Sequence, residues 1–567
     1  MNLISKIRLQ IVDLVKNKFA LSSSFLANLD KSLELGLNID KDPSFGDLSC
    51  NIAMILANEL KRSPREIALD IKEAILQDAN LKKIVVLAEI AGPGFLNLTF
   101  DHSVWRGLSK NLLEFKEKCF KPQNLKKEKV LVEFVSANPT GPLHLGGGRG
   151  GIIGDVLGSV LKFLGDDVEK EYYINDAGNQ VRKLGNCLKI RCEQELGMES
   201  MLPEDGYAGE YLIDLAKECI AENGKSILEK PPVFFENYAI HHLLKNIKKD
   251  LSDYGIIYDT WFSEKTLHED GSVKSAMKLL FDKELAYESE GAIWFKSSQF
   301  GDDKDRVIQK HDDTPTYIAA DIAYHKNKFD RGFTKLINVW GQDHHGYVKR
   351  LKATMEALGY PAESLDVILN QLVSIKKGGE ALRMSKRSGV FTTLRDIIDL
   401  VGKDVARFFY LNRKADAHLE FDLEVALKKT DENPVYYIQY AYVRCGSVLE
   451  KAKELMPYAA FLDTLKNVDD IDEQIYDALG KEEIVILKKL IALESILSGI
   501  RRTYGTHMLA YYVFELSKLF HNYYANNRII DSEKENLTKC RLMIIYLVRE
   551  NLSFCLDLLG LSKPQKM

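Results

Sequence analysis

The stretch V-L-V-E-F-V-S-A-N-P-T-G-P-L-H-L-G-G-G-R-G-G, residues 130–151, contains the pattern that decides the fold. It begins as an apolar strand and passes through a turn rich in proline and glycine. It then continues into apolar residues at helical spacing as far as Leu164. A strand, a glycine-rich turn and an amphipathic helix form the opening unit of a parallel α/β sheet. The sequence therefore predicts a Rossmann-like parallel-sheet domain around this stretch.

The same alternation returns further along the chain. A strand is predicted at L-I-N-V-W-G, residues 336–341, a helix follows from Tyr347 to Leu358, and a strand lies around Val367–Ile375. The mixed stretch between the two halves, about 195–312, is interpreted as an insertion. We expect the parallel-sheet domain to span residues 122–430.

Two further domains are predicted on either side. Residues 1–115 combine helical segments with the strand-like ending A-G-P-G-F-L-N-L-T-F, which indicates a small N-terminal α/β domain. A polar linker, residues 121–129, closes it. Residues 431–567 contain long helical periodicities without strand signals, which predicts a C-terminal all-α helical bundle.

Composition limits the class of protein. The 567 residues are 46% hydrophobic with a net charge of −5, so no overall basic excess indicates a nucleic-acid partner, and such a partner would bind local patches. No stretch approaches the roughly 20 apolar residues of a membrane span, and the N-terminal run lacks a signal-peptide core. We expect a cytoplasmic protein without membrane contact. The eight cysteines show no zinc-ligand spacing, so no bound metal is expected.

The glycines at 146–151 suggest a phosphate site, because backbone N–H groups at a helix N-terminus can approach an anion. The alternative is equally plausible: tight packing of a helix on a sheet also selects glycine. A lone histidine such as His144 would more often be a structural hydrogen-bonding group. A basic run follows at I-K-K-G-G-E-A-L-R-M-S-K-R-S-G, residues 375–389, where a solvated loop is the alternative.

The glycine-rich stretch with His144 and the basic run at 375–389, taken together, are a far more specific indication of function than either alone. S-x-N-P-T-x-P-x-H-x-G-x-x-R-G, residues 136–150, resembles the extended H-I-G-H signature of the arginyl-tRNA synthetases, a class I aminoacyl-tRNA synthetase family. R-M-S-K-R, residues 383–387, resembles the K-M-S-K-S loop about 240 residues downstream. The resemblance extends over nearly the whole chain. One departure is Gly147, which stands where the family has its second histidine.

The resemblance implies an enzyme that uses ATP with Mg²⁺ as the substrate complex. It activates L-arginine to arginyl-adenylate and transfers it to tRNA(Arg), releasing AMP and pyrophosphate. His144 and Lys386 are the expected catalytic residues. The expected ATP-binding residues are Pro139, His144, Gly146, Gly147, Arg149, Met384, Ser385 and Lys386. Arg149 or backbone amides would substitute for the histidine that Gly147 replaces.

A guanidinium group carries five planar donors, so an arginine pocket needs carboxylates and other acceptors. Glu133 lies inside an apolar strand, where a charge needs a partner, although an edge strand facing water is the alternative. Tyr317 and Asp321 are one helical turn apart and resemble the family's Y-x-x-x-D element, although an exposed helix face would also explain them. The full set expected from the resemblance is Glu133, Ser136, Asn138, Glu264, Tyr317, Asp321 and Gln342.

The helical tail contains N-P-V-Y-Y-I-Q-Y-A-Y-V-R, residues 433–444, where aromatic side chains beside arginine could stack unpaired bases. The alternative is a helix that buries its tyrosines in a bundle. By resemblance this domain binds the anticodon stem and loop through Tyr436, Gln439 and Arg444, and the N-terminal domain contacts the tRNA elbow. We expect a monomer.

Two rival interpretations stay open. One is a class I synthetase for another amino acid, or a related nucleotidyltransferase, against which Glu133, Tyr317 and Asp321 argue because a neutral substrate would leave buried carboxylates unpaired. The other is a non-catalytic tRNA-binding paralogue, suggested by Gly147 and opposed by the presence of His144 and Lys386.

Overall fold

The N-terminal unit is an antiparallel sheet covered by helices. The computed structural model describes residues 3–33, 35–39, 45–122, 125–378, 380–382 and 393–567 of the chain. The elements of this unit are α1 (Leu3–Lys18), α2 (Ser23–Ser32), β1 (Leu35–Leu37), β2 (Leu48–Cys50), α3 (Ile52–Leu60), α4 (Pro64–Gln77), β3 (Val85–Ala91), β4 (Phe95–Phe100) and α5 (His102–Phe115). The strands pair in the order β1-β2-β4-β3. Ile11, Leu56 and Ile71 from three of the helices are fully buried in its core.

The central unit is an α/β domain. Its elements are β5 (Lys129–Phe134), α6 (Leu145–Leu164), β6 (Asp167–Ile174), α7 (Asn179–Glu195), α8 (Glu210–Asn223), α9 (Pro232–Asp253), β7 (Thr260–Ser263), α10 (Glu264–Glu269), α11 (Ser272–Asp282), β8 (Ala286–Ser289), β9 (Ala292–Phe295), β10 (Arg306–Gln309), α12 (Tyr317–Asp330), β11 (Lys335–Gly341), α13 (Val348–Leu358), β12 (Leu365–Asn370), β13 (Val373–Lys377), β14 (Glu380–Leu382), α14 (Leu394–Val401), α15 (Lys403–Leu411), β15 (Leu419–Asp422) and α16 (Leu423–Leu427). In the described part of the chain, five of these strands form one parallel sheet in the order β12-β11-β5-β6-β7. The predicted Rossmann-like sheet is confirmed.

Chain order in this sheet reverses at β5. The chain runs from β5 to β6 and β7 on one side and later adds β11 and β12 on the other side. In open α/β sheets ligands bind in the crevice at the carboxyl ends of the strands, at such a switch point. The topology therefore places a crevice above the ends of β5 and β11.

The stretch 195–312, interpreted from the sequence as one insertion, is divided by a strand of the central sheet. Helices α7, α8 and α9 form a separate core before β7. Strands β8, β9 and β10 form an antiparallel sheet after it. The strand β7 has only four residues, T-W-F-S, all of them half-buried, so neither alternation nor a long apolar run marks it in the sequence. The strand expected around Val367–Ile375 is likewise two strands, β12 and β13, in different sheets.

Helix α6 lies directly against β5 because glycine occupies the contact. A Cβ built on Gly154 would lie 2.3 Å from Cγ of Phe134, and one on Gly151 would lie 2.8 Å from Cδ1 of Ile256. Both distances are shorter than real Cβ contacts, so a side chain at Gly154 would push the helix away from β5, and one at Gly151 would push it away from the segment after α9. The packing explanation for the glycine run is therefore correct for Gly151, and Gly154, beyond that run, is needed for the same reason.

The C-terminal unit, residues 434–567, consists of helices and their connections and contains no strand; the structure describes all of these residues. Its helices are α17 (Pro434–Lys453), α18 (Tyr458–Thr464), α19 (Glu473–Asp477), α20 (Lys481–Thr503), α21 (His507–Asn526) and α22 (Glu535–Leu559). The predicted all-α bundle is confirmed. The side chains of Arg106 and Lys110 in α5 pair with Glu473, and Lys488 of α20 pairs with Asp47 at 2.7 Å. The N-terminal unit is thereby joined to the bundle.

One buried arginine connects the central and C-terminal units. Arg407 of α15 is 0% exposed, and its Nη2 lies 2.6 Å from Oδ2 of Asp155 in α6. Its Nη1 donates to the carbonyl oxygens of Tyr254 and Gly255 at 3.0 and 3.2 Å, and its Nε donates to that of Leu559 at 2.9 Å. Burial alone would raise the pKa of Asp155, but Arg407 and a nearby lysine hold it below its usual range.

All eight cysteines carry free thiols, and seven of them are buried. Burial raises the pKa of the Cys50 thiol to about 12 and that of Cys119 to about 11. Among the described residues, no helix is both long and apolar enough to cross a membrane.

Replacing Gly154 with alanine is expected to lower the free energy of unfolding by about 1–3 kcal/mol, because the added methyl group overpacks the contact between α6 and β5. The shift of the urea midpoint, followed by circular dichroism, measures this loss. Gly107→Ala in α5 is the matched control, since a Cβ there meets no described atom outside its own helix within 4 Å. Equal midpoints for the two variants would contradict the packing argument.

Candidate active site

A cavity of about 580 Å³ lies at the switch point of the parallel sheet. Its walls come from the carboxyl ends of β5 and β11, the first turn of α6 and one face of α12. Eight of the residues predicted from the sequence line it: Glu133, Ser136, His144, Gly146, Gly147, Tyr317, Asp321 and Gln342. The described part of its lining includes three carboxylates, Glu133, Asp321 and Asp343, and no lysine or arginine. The cavity is therefore suited to a cation.

His144 caps the N-terminus of α6. Its backbone is extended, and its Nδ1 accepts a hydrogen bond from the amide of Gly146 at 3.1 Å. Partial desolvation lowers the pKa of His144 below its usual value, which favours a neutral ring near pH 7. Because Nδ1 accepts, the neutral ring carries its proton on Nε2, which is a donor at the edge of the cavity.

The glycines of the motif belong to the first turns of α6 rather than to a loop before it. A Cβ on Gly147 would meet only Cγ1 of Val135, at 4.0 Å, so a side chain has room there. A Cβ on Gly148 would lie 2.7 Å from Cδ1 of Leu394. Gly147 thus faces the open cavity, whereas Gly148 is needed for packing.

The backbone between β5 and the cavity is strained. Val135 and Ser136 have φ of +68° and +39°, values that are costly for a residue with a side chain and most of all for a β-branched one. Three hydrogen bonds stabilise this bend: Ser136 Oγ accepts from the amide of Tyr173 at 3.1 Å, and the hydroxyls of Tyr172 and Tyr258 donate to the carbonyls of Ala137 and Phe134. Such strain is concentrated at functional sites.

Glu133 lies on a central strand, so the edge-strand alternative is wrong. Its carboxylate accepts a hydrogen bond from Nζ of Lys328 at 2.6 Å, and the Lys328 side chain is 0% exposed. Next to it in the sheet register is Glu171, which binds the hydroxyl of Tyr324 and lies 2.6 Å from Nη1 of Arg331. Below the cavity there is therefore a buried layer of paired charges.

Asp321 projects from the first turns of α12 into the cavity. The hydroxyl of Tyr347 donates to its Oδ2. Burial raises the pKa of Asp321 to about 7, and the nearby Glu133 and Glu264 add to this, while Tyr347 and Lys328 oppose it. A bound cation would relieve this cost, because it favours the ionised carboxylate.

Arg149 does not reach the cavity. Its guanidinium group is fully buried and donates to the backbone carbonyls of Gln371, Ala417 and Lys414 at 2.8–2.9 Å. Burial lowers its pKa to about 10, so it stays charged at pH 7. These contacts indicate a structural role for Arg149 in place of the predicted ATP contact. Arg149 therefore does not substitute for the family's histidine at position 147.

Three other predicted residues lie beside the cavity. Asn138 is exposed and donates to Oε1 of Gln180 at 2.8 Å, and Pro139 is buried next to it. Glu264 is 5% exposed and is hydrogen-bonded to Tyr173, a residue that lines the cavity. The predicted residues Met384, Ser385 and Lys386 lie outside the described residues.

Several cavity residues were not predicted individually, among them Tyr173, Tyr324, Trp340 and Tyr347. Tyr173 stacks near Tyr324 with ring centroids 4.3 Å apart, and Trp340 lies 6.0 Å from Tyr347. Tyr173 and Trp340 stand near the carboxyl ends of β6 and β11, so the rule for ligand position in parallel sheets could have identified them.

The predicted tRNA contacts lie on α17, far along the chain from the cavity. Tyr436 and Gln439 line a second cavity of about 450 Å³, and Gln439 donates to Asp404 and to the carbonyl of Ser562 at 2.9 and 3.1 Å. Arg444 is stacked over the rings of Tyr440 and Tyr524 at 4.3 and 4.9 Å.

Comparison with known families supports what this geometry indicates. Residues 109–418 match the catalytic domain of the class I tRNA synthetases for arginine, tRNA synthetases class I (R). Residues 9–100 match the arginyl tRNA synthetase N-terminal domain, and residues 438–567 match the DALR anticodon binding domain. The chain belongs to the arginyl-tRNA synthetase family. The predictions of this family and of an aminoacyl-tRNA ligase are thereby confirmed.

Members of the arginyl-tRNA synthetase family resemble the chain over almost their whole length. The arginine–tRNA ligase of Desulforamulus reducens is 41% identical over 543 residues, which are 94% of each chain. That of Bacillus subtilis is 40% identical over 564 residues, 98% of this chain and 99% of the relative. The arginyl-tRNA synthetase of Thermus thermophilus has the same fold, with a TM-score of 0.76 over 100% of both chains at 20% identity.

Replacing Arg149 with methionine is expected to lower the free energy of unfolding by about 3 kcal/mol or more, since three buried carbonyl groups lose their donor. The KM for ATP is expected to change by less than about twofold, because the side chain does not line the cavity. His144→Ala is the matched opposite: it removes one helix cap, at a cost of about 1 kcal/mol, and impairs ATP use. A large rise in the KM for ATP in a fully folded Arg149→Met variant would contradict the structural role.

Proposed function

We propose that the cavity at the switch point binds L-arginine and ATP together and that the chain joins arginine to tRNA(Arg). The observation that carries the assignment is the anionic lining of the cavity. Glu133 and Asp321 face it together with Tyr317 and Gln342, and its described lining has no lysine or arginine to compete with a guanidinium group. The family to which the chain belongs uses the same substrates.

The arginine end of the site is the part between α12 and β5. The planar guanidinium donates to Asp321 and Glu133, and the amide oxygen of Gln342 accepts a further hydrogen bond. Tyr317, 62% exposed at the start of α12, closes over the aliphatic chain. Ser136, Asn138 and Glu264 complete the set, and we place Asn138 near the α-amino or carboxylate group.

The ATP end is the first turn of α6. The Nε2–H of His144 donates to a phosphate oxygen, and Gly146 and Gly147 let the nucleotide approach the helix N-terminus. Lys386 neutralises charge on the departing pyrophosphate, with Met384 and Ser385 beside it. In support, Thr393, which follows this segment, pairs with His144 in a β-bridge, and the amide of Leu394 donates to the carbonyl of Leu143 at 2.8 Å.

The chemistry consists of two displacements. A carboxylate oxygen of arginine attacks the α-phosphorus of Mg²⁺·ATP, the bond to the β-phosphate bridge breaks, and pyrophosphate leaves with arginyl-adenylate remaining. A hydroxyl of the terminal ribose of tRNA then attacks the arginyl carbonyl, its proton is lost, and AMP leaves. The chain contributes alignment and charge stabilisation, since neither step requires a covalent enzyme intermediate.

The tRNA partner lies along the C-terminal helices in this proposal. Stacked arginine and tyrosine side chains such as Arg444 and Tyr440 form a platform for an unpaired base. Lys403, Lys428 and Lys429 surround the second cavity, where Tyr436 and Gln439 lie, and give it the positive charge that phosphates require. The N-terminal unit, residues 1–115, contacts the tRNA elbow.

We also propose that the protein works in the cytoplasm, where charged tRNA is consumed, and that it acts as a monomer. Its free thiols suit a reducing compartment. Light scattering during size-exclusion chromatography measures the mass directly, and a value near the chain's 64.4 kDa is the expected result.

Purified protein with ATP, Mg²⁺, total tRNA and each amino acid in turn is expected to charge tRNA with arginine alone. Asp321→Asn and Glu133→Gln are each expected to lower kcat/KM for arginine about 10–100-fold, the loss of a hydrogen bond between charged groups. Asp282→Asn is the control: Asp282 forms an exposed ion pair with Lys278 on α11, and this variant should behave as the parent enzyme. Charging with another amino acid would refute the pocket assignment, and binding of tRNA without charging would indicate a non-catalytic paralogue.

Gly147 offers a second test because the cavity has room beside it. Gly147→His is expected to fold and to raise kcat for aminoacylation, since the imidazole would supply another donor to the phosphates. Gly148→His is the matched control, in which the side chain would overlap Leu394 and Tyr410 and the protein should lose stability by roughly 1–3 kcal/mol or more. A folded Gly147→His enzyme with lower kcat would show that the site has adapted to glycine.

A further inference from the structure

Tyr347 has no assigned role, yet it contacts the carboxylate at the centre of the arginine end. It lies in the turn between β11 and α13, and its hydroxyl donates to Oδ2 of Asp321. Both residues line the cavity. Asp321 therefore meets any ligand with one of its oxygens already occupied.

The ring of Tyr347 packs against two other side chains. The guanidinium carbon of Arg350 lies 4.7 Å from the ring centroid, and the ring of Trp340 lies 6.0 Å away at 61°. Nε of Arg350 is 3.9 Å from Asp302, which is itself bound by two nitrogens of Arg306 at 2.8 Å. The ring is thus held by Trp340 of β11 and Arg350 of α13, and Arg350 is supported in turn from the start of β10. The position of the hydroxyl is therefore determined before a ligand enters.

The charges around Asp321 come from several elements. Glu133 on β5, Glu264 on α10 and the Tyr173 hydroxyl on β6 face it, and Lys328 on α12 is the nearby cation. Burial and the two glutamates raise the pKa of Asp321, while the hydrogen bond from Tyr347 and the charge of Lys328 lower it. Arg350 and Arg306 face Tyr347 itself.

We propose that Tyr347 is a positioning residue for arginine selection: its hydroxyl holds the Asp321 carboxylate in the orientation that reserves Oδ1 for the guanidinium group. The inference rests on the proposed function of the cavity. A neutral acid at this position would offer a hydroxyl donor to a substrate that is itself only a donor, so the site must present the anion. Among the described residues, Tyr347 supplies the hydrogen bond that stabilises the anion, and it does so without a positive charge that would repel the substrate.

The consequence is a specific pH dependence. Since burial raises the pKa of Asp321 to about 7, its ionised fraction, and with it kcat/KM for arginine, rises with pH through neutrality. Removing the hydroxyl raises this pKa further, because a hydrogen bond to the charged form is lost. In a Tyr347→Phe enzyme, kcat/KM for arginine is therefore expected to rise at a higher pH than in the parent enzyme.

The experiment is kcat/KM for arginine in the aminoacylation reaction between pH 6 and 8.5, for the parent, Tyr347→Phe and Asp321→Asn. In Tyr347→Phe the midpoint is expected to move up by about one unit, with a loss of about fivefold at pH 7 that shrinks towards pH 8.5. In Asp321→Asn the step at neutral pH is expected to disappear. The KM for ATP at saturating arginine should not change in Tyr347→Phe.

Two further variants complete the design. Tyr360→Phe removes a phenol that is stacked on Phe329 and is not among the residues lining the cavity, and its profile should match the parent. Arg350→Lys keeps the charge but loses the planar stack on Tyr347, and its midpoint should move in the same direction by a smaller amount.

The outcomes separate the two levels of the argument. A loss in Tyr347→Phe that is equal at every pH, or no loss at all while Asp321→Asn is impaired, overturns the role of Tyr347 and leaves the arginine site standing. Parent-like use of arginine by Asp321→Asn overturns the proposed site itself.

Discussion

The buried ion pair of Arg407 and Asp155 is the interaction on which the arrangement of the whole chain depends. Asp155 lies on the same helix as the cap His144, roughly 16 Å further along the axis. Arg407 joins that helix to the end of α9 and to the last turn of α22 through backbone carbonyls. Since breaking one half of a buried pair costs about 3–5 kcal/mol, the position of α6 and the packing of the C-terminal bundle are energetically coupled.

In the cavity, by contrast, one carboxylate is not fully compensated by a neighbouring charge. At its floor the carboxylates of Glu133 and Glu171 each have a cationic partner, whereas the hydrogen-bond partner of the Asp321 carboxylate among the described residues is a neutral hydroxyl. An incompletely compensated carboxylate lowers the stability of the empty protein, as does the left-handed backbone of Val135 and Ser136. Both unfavourable contributions come from residues around the same cavity. A cationic ligand would offset the electrostatic contribution of Asp321. The hydrogen bonds from Tyr172, Tyr173 and Tyr258 hold the backbone in this left-handed conformation.

Much of the fold was predictable because it depends on local pattern. The strand, turn and helix pattern of residues 130–164 predicts the parallel sheet. The helical spacing of apolar residues after residue 433 predicts the bundle. The strand β7 was not predicted, since four half-buried residues carry no period. The eight predicted cavity residues came from motif spacing, yet the pairing of Glu133 with Lys328 spans 195 positions and has no local signal. Arg149 was misjudged for a related reason: its chemistry suits a phosphate, and only the tertiary fold shows that three carbonyls surround it.

The buried cysteines can report local unfolding in each of the three units separately. Cys50 lies in the N-terminal unit, Cys187 in the helical core beside the sheet, and Cys445 and Cys555 in the bundle. Since alkylating reagents attack an exposed thiolate, each of these positions is protected until its own unit unfolds locally. The rates at which they are modified in the native protein, compared one with another, would show whether tRNA or the small substrates tighten one unit or all three together.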